Sequence, residues 1–144
     1  MIITFAGHRS LTEHSALSQK LLATFRENLP KAEPLRFYCG GYGEFDRLCA
    51  GACRLIQKEY PNSRICYISP YLLPKKDQAD SDAYDEIIYP PLESVPPRLA
   101  ILKRNQWMID QADLVITYVK YQGGAFQTLE YAQKRKKRII NLAI

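Results

Sequence analysis

Five short apolar runs, residues 2–6, 35–39, 64–69, 113–119 and 138–143, alternate along the chain with stretches whose apolar residues recur every three or four positions. The first spacing suits a strand covered on both faces and the second a helix with one buried stripe. Leu17, Leu21, Leu22, Phe25 and Leu29 carry one such stripe; Phe45, Leu48, Cys49, Ala52 and Ile56 carry another. Strands and helices in strict alternation fold as a parallel sheet between two helical layers. Right-handed crossovers then bring every strand-to-helix turn to one edge of that sheet.

The expected fold class is therefore α/β: a three-layer, Rossmann-like arrangement with a mostly parallel central sheet, built as one domain over residues 1–144. A core of this size needs neither disulfide nor metal to hold it. The four cysteines lie in apolar stretches without ligand-like spacing, so they read as buried thiols of a cytoplasmic protein rather than a zinc site. No apolar run approaches a membrane span, and the start has neither the basic residues nor the length of a secretory signal. Neither metal nor resident cofactor is expected.

Several boundaries can be placed from local chemistry. Ser10 followed by Glu13 reads as a capping box opening the first helix, which should end near Pro30. Residues 70–97 form a long polar, proline-rich stretch with Asp77, Asp80, Asp82 and Asp85, and residues 87–89 add a short edge strand. Such carboxylates can hold a divalent ion, although without fixed spacing they more often form a solvated loop. Pro96 and Pro97 suit the first turn of a helix running to Gln111, and residues 124–137 form the last helix. The net charge of +5 favours anionic partners in general, but its densest run, residues 134–138, falls at a helix end, where cations complement the dipole.

Function should lie in the loops at the carboxyl edge of the sheet. Gly7, His8 and Arg9 follow the first strand, where Arg9 can clamp a phosphate and His8 can position a ligand or move a proton. Gly40, Gly41, Tyr42 and Gly43 follow the second strand; their spacing is not the dinucleotide fingerprint, yet it allows close backbone approach, and Asp46 can bind a ribose hydroxyl. Gly123 and Gly124 precede Thr128 at a helix start, presenting backbone donors and a hydroxyl to one phosphate, with Glu130 close behind. Arg104 and Asn105 are further candidates, and Tyr42, Tyr71, Tyr118 and Tyr121 near strand ends can stack on a base. Each feature has a structural counterpart: a turn glycine, a dipole partner, a tyrosine at a half-buried edge.

The segments FAGHR (5–9), GGYGEFD (40–46), PYL (70–72), YPPLESVPPR (89–98), RNQWMIDQADLVITYV (104–119) and GGAFQTLEYA (123–132) resemble the Rossmann-like SLOG superfamily. That group includes the Lonely Guy phosphoribohydrolases and DNA-processing proteins that bind single strands, and the likeness is greatest to small bacterial members. The resemblance implies a nucleotide-like ligand held by the glycine loops and, in the Lonely Guy branch, hydrolysis of a nucleoside monophosphate by the last Glu of a PGGxGTxxE motif. Here the glycine pair follows Tyr121 and Gln122, and Tyr131 stands where that Glu would be, with Glu130 one position early.

Three readings follow. The first is binding or sensing of a nucleotide or nucleotide-derived small molecule, in a chain able to form a homodimer through its helical faces. The second is N-glycosidic hydrolysis with Glu130 or Glu44 as the carboxylate and Arg9 or Arg104 on the phosphate. The third, single-stranded nucleic-acid binding, lacks a continuous basic and aromatic stripe.

Overall fold

The computed structural model describes residues 1–71 and 83–144. Its six strands are β1 (Ile2–Gly7), β2 (Leu35–Cys39), β3 (Ser63–Ile68), β4 (Glu86–Ile88), β5 (Leu114–Tyr118) and β6 (Arg138–Asn141). They form one sheet in the order β4-β3-β2-β1-β5-β6, and every neighbouring pair is parallel. Four α-helices connect them: α1 (His14–Asn28), α2 (Glu44–Ile56), α3 (Ala100–Gln111) and α4 (Gly124–Lys134). The α/β class expected from the alternating pattern is the one observed, and the sheet is parallel throughout.

Strand periodicity divides the core between the two faces. Ile3, Phe5, Phe37, Ile65, Leu114 and Ile116 point to the side covered by α1 and α2, where Phe5, Phe25 and Phe37 form an aromatic centre. Tyr38, Cys66, Ile68 and Val115 point to the other side, against Met108 and Ile109 of α3 and Ala132 of α4. All four cysteines are free and buried, and desolvation pushes the Cys49, Cys53 and Cys66 thiols up, which keeps them protonated. Among the described residues no helix is long and apolar enough to cross a membrane.

Four local expectations are corrected. The capping box does not form: α1 starts at His14 with Glu13 as N-cap and no side-chain cap bond. The Leu11 N–H instead donates to the Glu44 carboxylate, and the Glu44 N–H donates to the Arg9 carbonyl at 2.8 Å, so loop-to-loop pairing displaces the local cap. The last helix stops at Lys134 rather than Lys137. Lys136 turns left-handed (φ 56°), and the Lys136 and Lys137 N–H groups return to the carbonyls of Gln133 and Ala132, closing a Schellman turn. The helix expected from Pro96 begins as a 3-10 turn, Pro97–Leu99, before α3. The edge strand is shifted by one residue, to Glu86–Ile88.

The basic run after α4 is partly structural. Arg135 pairs with Asp110 at 2.9 Å, and Lys137 donates to the Asp110 and Ala112 carbonyls at the end of α3. Of the acidic loop, Asp77, Asp80 and Asp82 lie outside the described residues. Asp85 is committed as a clamp: its carboxylate accepts from Ile65 N, Gln57 Nε2 and Arg54 Nη1, which holds it below its ordinary value despite desolvation.

Candidate functional site

Strand order reverses between β1 and β5, because the chain builds outward from β1 through β4 and then returns to the opposite side of β1. The carboxyl ends of two strands that diverge in this way leave a crevice between their following loops. A cavity of about 430 Å³ opens there, lined by residues of the 7–10 loop, by Tyr42 and Asp46, by α3 and by the 121–128 segment.

His8 ties the two sides together. It is buried, its Nε2 accepts the Lys120 N–H at 2.9 Å, and its ring lies parallel to Tyr121 at 3.7 Å. The acceptor role at Nε2 puts the proton of the neutral ring on Nδ1, so the tautomer, which nothing in the local sequence decides, is fixed across the crevice. Burial and the Lys120 cation both lower its pKa. Arg9 is exposed at the rim with its guanidinium 4.6 Å from the centre of the Tyr42 ring, and among the described residues no carboxylate pairs with it.

The glycines of the second loop are used inside the protein. A Cβ on Gly41 (φ 66°) would meet the Tyr67 ring at 2.7 Å, and one on Gly43 (φ 94°) would meet the Arg9 Cα at 3.0 Å. At Gly40 it would press on the Asp46 carboxylate and the Arg104 guanidinium at 3.1 and 3.3 Å. Gly7 is similar: a Cβ would fall 2.3 Å from the Phe45 ring, so this glycine lets α2 pack on β1. Tyr42 and Asp46 line the crevice, whereas Gly41 and Gly43 do not.

Arg104 is buried and already saturated on one side. Nη1 donates to the Gly40 and Ile68 carbonyls at 3.0 and 2.9 Å, and Nε donates to Asn105 Oδ1 at 2.8 Å. It thereby clamps the ends of β2 and β3 to α3, and desolvation lowers its pKa while Asp46 and Tyr67 oppose that effect. Asp46 anchors one oxygen on the Tyr42 N–H at 3.1 Å. Part of its surface still opens to the crevice, yet the packing around it desolvates the carboxyl and pushes it up to about 6, against the opposing pull of Tyr42 N–H and Arg104.

The last loop is different. Gly123 (φ 152°) and Gly124 border the crevice, and a Cβ on either would meet nothing within 4 Å. Gly123 is the N-cap of α4 and makes no side-chain cap bond; its carbonyl accepts from Gln127, which leaves the first N–H groups of the helix facing the loop. Thr128 lines the crevice, but its hydroxyl proton is donated to the Gly124 carbonyl at 3.2 Å, so it offers a ligand only an acceptor.

Glu130 is exposed on α4 outside the crevice lining, and Glu44 holds the Leu11 N–H and lies 3.4 Å from His14, also outside it. The structure thus gathers Gly7, His8, Arg9, Tyr42, Asp46, Arg104, Asn105, Gly123, Gly124 and Thr128 around one cavity and leaves both glutamates elsewhere. It also brings in Ser10 and Gln127 from the same loops, and Ile101 and Leu102 of α3, which carry no motif and could be found only from the fold.

The sequence matches no protein-family model and no curated protein. Solved structures share its fold. The X-ray structure of TM1055 aligns with a TM-score of 0.60 at 14% identity, over 96% of this chain and 71% of that one. The molybdenum cofactor carrier protein of Chlamydomonas reinhardtii aligns with a TM-score of 0.60 at 16% identity, over 99% and 76%. A further structure of that carrier protein gives 0.55. At these identities the likeness is one of fold.

Proposed function

We propose that this chain binds a phosphate-bearing small molecule, a nucleotide or nucleotide-derived compound, in the crevice between the loops after β1 and β5. The anion sits against the first turn of α4 and is neutralised by Arg9. Asp46, with one oxygen anchored and part of its surface open to the crevice, takes a sugar hydroxyl. The observation that carries the reading is the open space over Gly123 and Gly124 at a helix start, beside a cation with no carboxylate partner among the described residues. Further support comes from the resemblance to the SLOG superfamily and from a protein of the same fold that is, by name, a cofactor carrier.

A panel of nucleoside phosphates, NAD and ADP-ribose tested by thermal shift decides it. A ligand at one hundred times its Kd adds about 2.7 kcal/mol of stability. No shift with any of them removes the reading.

One observation keeps a hydrolytic reading open, with a different carboxyl group from either glutamate. Asp46, pushed up to about 6 within the crevice, is suited to trade a proton near neutrality. Release of free base from a nucleoside monophosphate, abolished in Asp46→Asn and retained in Glu130→Gln, is the expected result. Absence of release from any common nucleotide leaves binding alone.

A further inference from the structure

We propose that Tyr121, held flat against His8, is a stacking platform that makes the crevice select ligands carrying a planar ring over phosphate or sugar phosphate alone. The proposal rests on the anion-binding reading above and adds the part of the ligand that reading leaves unassigned.

Tyr121 lines the cavity and is 58% exposed. One of its faces is covered: the His8 ring lies 3.7 Å away at an interplanar angle of 3°. Its exposure therefore belongs to the opposite face and the edges. The His8 ring beneath is itself fixed, by burial and by the Lys120 N–H donated to Nε2. A tyrosine has only two side-chain torsions, so a ring docked on an immobile neighbour offers stacking area with little ordering left to do.

A second ring stands on the other side of β1. Tyr42, 49% exposed and also lining the crevice, comes from the loop after β2 and is held by the Arg9 guanidinium at 4.6 Å. The crevice thus has an aromatic group on each flank. Stacking reads the π-face that every base shares, so the platform selects for the presence of a ring and discriminates little among bases.

The test is titration calorimetry of AMP, UMP, ribose 5-phosphate and inorganic phosphate against the unaltered chain, Tyr121→Ala and Tyr121→Phe. AMP and UMP are expected to bind the unaltered chain at least about tenfold more tightly than ribose 5-phosphate, the equivalent of about 1.4 kcal/mol. Tyr121→Ala should abolish that gap while leaving ribose 5-phosphate affinity in place, and Tyr121→Phe should keep it. If ribose 5-phosphate binds the unaltered chain as well as AMP does, the platform is refuted and the anion site stands. If Tyr121→Ala weakens all four ligands equally, the residue shapes the loop and the proposal also fails. Binding of none of the four to the unaltered chain overturns the platform, while the anion-binding reading falls only if the wider panel of nucleoside phosphates, NAD and ADP-ribose also gives no thermal shift.

Discussion

The two glycine-rich loops look alike in sequence and do opposite things. In the loop after β2, the glycines make room for protein: Tyr67 lies over Gly41, the Arg9 backbone over Gly43, and Asp46 with Arg104 over Gly40. In the loop after β5, Gly123 and Gly124 face open space at the crevice. Three glycines in four residues is the denser signal, yet the pair after β5 is the one with room for a ligand. Glycine density reports a need for close approach; only the fold tells whether the approaching group is part of the same chain.

The sharpest way to break this contrast is to add a methyl group to each loop. Gly41→Ala combines a left-handed backbone with overlap on a buried ring and should cost about 3 kcal/mol in urea unfolding. If it costs nothing, the packing role assigned to that loop is wrong. A second measurement uses Asp46, held by that same loop. Burial raises its pKa to about 6, above its ordinary value, so between the two values the folded chain binds more protons than the unfolded one. Stability from this group is therefore present below pH 4 and is lost as pH rises through 6, by on the order of 3 kcal/mol. Asp46→Asn should flatten that slope. His8 acts in the reverse sense: its pKa is lowered, so its contribution is present above 6.5 and fades as pH falls below it.

Gly124→Ala sharpens the other half of the comparison. It should leave stability within about 0.5 kcal/mol, because the new methyl meets nothing, while weakening binding of whichever nucleotide shifts the unaltered chain by about tenfold. Equal loss in stability and affinity would mean that this loop, too, is packed. The smallest effect is expected at Glu130→Gln, which should alter neither melting temperature nor ligand affinity, since the residue lies on the exposed side of α4.

What the sequence made legible was whatever depends on periodicity. The five apolar runs placed β1, β2, β3, β5 and β6, the short edge strand β4 was placed one residue late, and the helical stripes placed α1 and α2. Alternation and handedness imply parallel strands with their following loops on one edge, whereas the reversal beside β1, which selects two of those loops, is seen only in the folded sheet. The misreadings involve partners distant in sequence. Ser10 lost its capping role to contacts with Glu44, more than thirty residues away. Arg104 does line the crevice, but the commitment of its Nη1 to the Gly40 and Ile68 carbonyls was not legible locally. No local pattern could reveal the His8 tautomer, because its determinant is the amide of Lys120. Glu130 suggested itself by its nearness in sequence to Gly124, but six residues along a helix turn a side chain well away from the starting direction.

The hydrogen bond from Lys120 to His8 joins residues 112 positions apart. Its two ends meet only after the chain has passed through β4 and come back to seat β5 beside β1. A growing or truncated chain that stops short of β5 can pair its first four strands and still possess no crevice. The crevice thus exists only when the sheet is complete, and under the proposed function a ligand bound there would stabilise only the completed order of strands. Binding by fragments would serve as an assay of whether the return crossing has been made.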